Sequence, residues 1–228
     1  MKANLVPVYI EAKTLPEAWF KCVKWLIDSQ NPEAIGGNFG VHSYKIDSGS
    51  YAGQHRLEFD YVTIHVEFPG SKPMIPDVPV GIPCPSSDAY VQEYLQKLMT
   101  SRKDINEEYT YGEYLEPQIP KIIDKYKAGP GNNQCIMTIG GRESIDQKDP
   151  PCLRLIDTRI IDGHLHFISY WRSWDLWAGF PNNLAALQIL KEYMASEMNV
   201  EDGNLIAASK GLHLYDYSLE LARTVINR

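Results

Sequence analysis

Several things are scarce in this chain, and each scarcity excludes something. No apolar run approaches about 18 residues, so no stretch reads as a bilayer-spanning helix. The first residues, Met1-Lys2-Ala3-Asn4, lack a charged-then-apolar leader pattern. Basic residues are outnumbered, 22 Lys and Arg against 29 Asp and Glu, for a net charge of −7. General nucleic-acid binding needs a basic face and is not expected, although a local anion pocket remains compatible. The four cysteines, Cys22, Cys84, Cys135 and Cys152, stand far apart with no paired spacing. Reduced thiols, a cytoplasmic location and no metal centre are the expectation. No repeat, low-complexity tract or composition break divides the 228 residues, so residues 1–228 read as one domain.

What is present is an ordinary globular composition, 44% hydrophobic and 22% charged. Thr14-Leu15-Pro16-Glu17 reads as a capping box opening a helix that ends near Asp28. Gly36-Gly37-Asn38-Phe39-Gly40 has the glycine content of a phosphate cradle but not its strand-to-helix context, so an ordinary loop is expected. Residues 56–68 read as one strand whose apolar phase shifts midway, implying a bulge or burial on both faces. A proline-rich connection follows at 70–85. Ser86 or Ser87 then caps a helix with Val91, Tyr94, Leu95, Leu98 and Met99 on its apolar face and Glu93 on the polar side. Further helices are expected at 117–127 and 218–228, and strands at 134–139 and 205–215. Helices alternating with strands predict an α/β fold with helices packed on a mixed sheet.

The densest chemistry lies in about 30 residues. Cys152 follows Pro150-Pro151, which stiffen its backbone. A hairpin over 153–160 and 164–171 turns at Asp162-Gly163, a type I′ signal. Trp171-Arg172-Ser173-Trp174-Asp175 and Gly179-Phe180-Pro181-Asn182-Asn183 come next, then a helix expected over 184–198. A thiol, guanidinium, hydroxyl, carboxylate and carboxamide thus converge, a mixture suited to a polar ligand and a nucleophile.

Four ordered motifs carry a resemblance: Pro150-Pro151-Cys152, Arg172-Ser173-x-Asp175, Gly179-x-Pro181-x-Asn183 and His213-x-Tyr215. Over 109–215 the chain resembles thymidylate synthase and its hydroxymethylase relatives, in particular the compact archaeal-type branch. The resemblance implies a three-layer α/β fold with a mixed sheet, its sheet face packed against a second subunit in a homodimer. It implies one-carbon transfer from a reduced folate or pterin to C5 of a pyrimidine nucleotide, foremost dUMP to dTMP. The co-substrate would be methylenetetrahydrofolate or methylenetetrahydromethanopterin, without a metal.

The resemblance also assigns roles. Cys152 is the nucleophile that attacks C6, with Arg172 placed to lower its pKa. Arg172 and Ser173 hold the phosphate. Asn183 reads the uracil edge, where an aspartate marks dCMP-directed relatives; its bland alternative is a helix N-cap. Asp175 and Gly179 line the pterin, the alternative for Asp175 being a local cap. His213 and Tyr215, two apart on a strand, share a face and hold the sugar hydroxyl. Glu93 is the proton-shuttling glutamate on a weak local match, and Tyr111, before Gly112, joins the removal of the C5 proton.

Two departures stand out. Where the family places an arginine pair for the partner's phosphate, this chain has Asn132-Asn133-Gln134, so Arg56 or Arg142 would have to compensate. Only thirteen residues follow Tyr215, which leaves open how the site closes and which pterin it takes. Alternative readings are a UMP, CMP or dCMP hydroxymethylase, and a non-catalytic nucleotide- or folate-binding relative. A cysteine hydrolase is weaker, because no histidine is placed to serve Cys152 as base.

Overall fold

The computed structural model describes residues 4–31, 39–47, 51–105 and 107–226. The glycine-rich segment 36–40 lies largely outside them. Two mixed sheets organise the fold. Strands β1 (Pro7–Ala12), β2 (Val41–Lys45), β3 (His55–Phe59), β4 (Tyr61–Val66), β5 (Ile136–Thr138), β6 (Leu153–Ile161), β7 (His164–Trp171), β8 (Trp174–Asp175), β9 (Glu201–Ser209) and β10 (Leu212–Tyr215) divide between them. The larger sheet has the order β1-β4-β9-β7-β6-β5 and the smaller β2-β3-β10-β8.

This division corrects two expectations. Residues 56–68 form β3 and β4, which lie in different sheets, and 201–215 divide into β9 and β10 in the same way. The phase shift in the sequence is therefore a crossing between sheets at Asp60. Its backbone N–H donates to Gly40 and its carboxylate accepts from Val6 N–H and contacts His42.

The helices are α1 (Leu15–Asp28), α2 (Asp88–Met99), α3 (Tyr111–Leu115), α4 (Ile119–Ala128), α5 (Gly179–Met198) and α6 (Asp216–Ile226). Thr14 caps α1 by accepting from Glu17 N–H at 3.4 Å, and Ser87 caps α2 by accepting from Tyr90 N–H at 3.2 Å. Helix α5 is buried nearly all round and packs on β7, β9, α1, α2 and α4, so it forms the hub of the core. It starts five residues earlier than the sequence suggested. Asn199, in the left-handed conformation at φ 55°, ends it. Even its lysine, Lys191, is fully buried, ion-paired with Asp202 at 3.2 Å.

The larger sheet is buried on the α5 side, where Val62, Ile64, Ile156, Phe167, Leu205 and Ala207 point. The opposite face carries half-buried Tyr61, Leu155, Ile168, Tyr170, Ile206 and Ala208 in register on adjacent strands. The hairpin turn between β6 and β7 has Asp162 at φ 50° and Gly163 at φ 76°, the two positive values that a type I′ turn requires. Residues 70–85 form an ordered connection without helix or strand.

Candidate active site

The site forms where β6 and β7 end together and the chain turns into β8 and α5. Pro150-Pro151 deliver Cys152 to the start of β6, half-buried. The N–H of Arg172 donates to the Cys152 carbonyl at 2.8 Å, which joins the two residues across the strand ends. A register shift between Leu153 and Leu155 makes a bulge at Arg154. Burial raises the Cys152 thiol pKa, and Arg172 is the main influence opposing it, with Arg154 adding to that effect. The expected lowering by Arg172 is present, but desolvation outweighs it.

Arg172 is tethered from below. Its Nε donates to the Pro150 carbonyl at 3.1 Å and to that of Pro151 at 3.3 Å, and Nη2 pairs with Asp149 at 3.0 Å. Nη1 has no hydrogen bond among the described residues, which leaves a fixed cationic donor beside Ser173. Arg56 is instead ion-paired with Glu58 at 2.6 Å, and Arg142 is exposed on the 3-10 turn Arg142–Asp146. Asn132 and Asn133 line a groove with Asp157, Arg159 and Ile168 that does not include Cys152.

Three tyrosines gather on the other side of the thiol. Tyr111, at the start of α3, accepts from Leu153 N–H at 3.4 Å, and its own hydroxyl is hydrogen-bonded with those of Tyr94 and Tyr109. Tyr109 and Tyr94 lie edge-on to it, with ring centroids 5.6 and 6.4 Å away. Burial raises Tyr94 and Tyr111 well above the ordinary phenol range and pushes Tyr109 up to about 12; the Cys152 charge acts on all three. All three therefore stay protonated hydroxyls near neutral pH. Gly112 permits this arrangement. A Cβ there would come within 1.9 Å of the Thr100 carbonyl oxygen at the end of α2.

Glu93 does not join this cluster. It sits on the exposed face of α2 beside Gln96, Lys97 and Arg102, while Tyr94, about 100° further round the helix, turns inward. Tyr94 shares the apolar phase of its helix, so periodicity alone marks it as packing. Arg154, at the bulge, also escaped the sequence reading, although its charge acts on the thiol.

Asn183 lies inside α5 and so cannot be its N-cap. It is 7% exposed, and its Oδ1 accepts from Trp174 Nε1–H at 2.8 Å. Gly179 lies directly against it, a Cβ there falling 3.5 Å from both that oxygen and Asp175. Asp175 is part local cap: Oδ1 accepts from Trp177 N–H at 2.8 Å and Ala178 N–H at 3.3 Å, and Oδ2 accepts from the Tyr217 hydroxyl at 3.0 Å. Burial raises its pKa.

His213 is 1% exposed. Its Nδ1 lies 2.8 Å from the Gly211 carbonyl, which can only accept, so Nδ1 carries the proton. Nε2 is then a bare acceptor, buried with no partner among the described residues. Burial lowers the imidazole to about 4, so the ring is neutral. Tyr215 packs edge-on against it, centroids 4.4 Å apart. Among the described residues no group of His, Cys, Asp and Glu could hold a metal ion.

The thymidylate synthase family model matches residues 96–228, more than half of the chain, including Tyr109, Tyr111 and the residues from Cys152 to Tyr215. The chain belongs to the thymidylate synthase family. It is 28% identical over 144 residues to a protein of Methanosarcina barkeri named "Putative thymidylate synthase", covering 60% of this chain and 66% of that one. A Methanosarcina acetivorans protein of the same name is 29% identical over the same coverage. A "Thymidylate synthase" of Mycoplasma pneumoniae is 30% identical over 112 residues, 49% of this chain and 39% of that protein. The chain thus spans just under two thirds of the length of the two Methanosarcina relatives.

Proposed function

We propose that this protein transfers a one-carbon unit to C5 of a pyrimidine nucleotide, converting dUMP to dTMP. The observation that supports the reading is the Cys152–Arg172 junction: a half-buried thiol and a tethered guanidinium belong to residues joined by a backbone hydrogen bond across the ends of one strand pair. The Arg172 fork and the Ser173 hydroxyl would hold the phosphate dianion. Its second role would be to stabilise the thiolate as Cys152 bonds to C6. That bond places the electron pair on C5, making it nucleophilic. Asn183 would bond O4 and N3–H. The orphaned Nε2 of His213, with the Tyr215 hydroxyl, suits a sugar hydroxyl, which can donate to it. The Tyr111 hydroxyl, hydrogen-bonded within the cluster it forms with Tyr94 and Tyr109, would accompany departure of the C5 proton. Expulsion of Cys152 then restores the 5,6 double bond.

A reduced pterin or folate, when bound, supplies the methylene and, for a methyl product, the hydride. The residues present suit one: Asp175 offers Oδ2 to the N–H edge of a pterin once Tyr217 gives way, and Gly179 leaves space beside it. A homodimer is the assembly we propose, with the half-buried apolar face of the larger sheet at the interface. The test is mass spectrometry of products from dUMP, UMP, dCMP and CMP with methylenetetrahydrofolate. A gain of one methyl on dUMP is expected; a hydroxymethyl product, or reaction only with a cytosine or ribose substrate, would overturn the assignment.

A further inference from the structure

We propose that Trp174 is a positioning residue that makes the site selective for uracil over cytosine. The inference rests on the reading of Asn183 given above and names what orients that side chain. An amide can sit either way round, and the two orientations present opposite patterns to a base edge. Trp174 removes the choice. An indole Nε1–H can only donate, so the amide atom 2.8 Å from it must be the carbonyl oxygen. The Nδ2 amide group is left without a hydrogen bond among the described residues, as a donor for the ligand. A donor at that point matches O4 of uracil and opposes the amino group of cytosine.

The indole itself is fixed. Its ring stacks on Trp171 at 4.5 Å with planes 6° apart, and on Phe180 at 4.6 Å with planes 27° apart. It is 3% exposed, at the start of the two-residue strand β8, whose pairing with Leu212 sets its backbone. Accepting cytosine would require the amide to turn over and aim its NH₂ at the indole N–H. That would face two donors in a dry pocket, leaving both unsatisfied. Discrimination would then come from an unfavourable contact with the wrong base as well as a favourable one with the right base.

The test is Trp174→Phe, which keeps an aromatic ring in the stack but has no donor. Affinities for dUMP and dCMP are measured by calorimetry in wild type, Trp174→Phe, Asn183→Ala and the double variant. The ratio of dUMP to dCMP affinity should fall about two- to tenfold in Trp174→Phe. The same substitution should leave the ratio unchanged in the Asn183→Ala background. If Trp174→Phe fails to fold, benzothienylalanine at 174 replaces N–H by sulfur at nearly constant shape and should give the same fall. An unchanged ratio, a proportionate loss of both ligands, or a shift that persists without Asn183 overturns the proposal. Wild type that binds neither nucleotide overturns both this inference and the reading of the site; wild type that prefers dUMP with a Trp174-independent ratio overturns this inference alone.

Discussion

Arg172 commits Nε and Nη2 to residues 149–151 and leaves Nη1 without a hydrogen bond among the described residues. A charge-assisted phosphate contact contributes about 1.5–3 kcal/mol. Arg172→Ala should therefore weaken dUMP binding about 10- to 150-fold and scarcely alter deoxyuridine, as calorimetry on both ligands would show. Equal losses would mean that Arg172 does not bind phosphate. The same variant should raise the Cys152 pKa further, since Arg172 is the main influence lowering it. His213 makes a separate prediction about pH. Its folded pKa, about 4, lies below the ordinary value of 6.5. Between those values the unfolded chain binds a proton that the folded chain does not, so its contribution to stability is complete above pH 6.5 and is lost as pH falls toward 4. The full effect is about 3 kcal/mol. Urea denaturation at pH 7 and pH 4.5 should show a smaller acid loss in His213→Gln than in wild type.

At the scale of elements, the tyrosine cluster depends on α3 lying tight against the end of α2. Gly112→Ala would drive a methyl into the Thr100 backbone, which cannot move without unwinding α2. Such overpacking costs about 1–3 kcal/mol, and it should also displace Tyr111. Denaturation and turnover, measured together, should both suffer, whereas Gly163→Ala, where a Cβ meets nothing, should lower stability alone. Much of this was legible in the sequence. The Asp162-Gly163 turn and the Thr14 cap follow from local rules, and the ordered motifs from Cys152 to Tyr215 carry the family resemblance. The two sheet crossings were not legible, because periodicity reports which side of a strand is buried and not which sheet it joins. The roles proposed for Tyr94 and Trp174 were not legible for a related reason: an aromatic that serves a site and one that merely packs share the same phase. Glu93 faces water although it is one residue from the inward Tyr94, a difference that adjacency in sequence does not show.

For the whole molecule, the open face of the larger sheet is the feature a single chain leaves unfinished. Ile168 and Ile206 are register partners at its centre, with Tyr170 and Ala208 alongside. A homodimer would cover them, and sedimentation equilibrium should find a dimer that Ile206→Glu converts to monomer; a monomeric wild type would refute the assembly. Asn132 and Asn133 line a groove shared with residues of this face, so dimerisation would set what they approach in the partner. The hub helix α5 connects that sheet to the site, carrying Asn183 near its start and packing along β7 and β9. The account stands or falls on the thiol at the end of that sheet. Protein incubated with 5-fluoro-dUMP and methylenetetrahydrofolate should form a ternary covalent adduct, because fluorine at C5 cannot leave as the proton does and Cys152 stays bonded to C6. Peptide mass mapping should place the adduct on Cys152, and Cys152→Ser should abolish it. An adduct on Cys22, Cys84 or Cys135, or bound nucleotide without any adduct, would contradict the account.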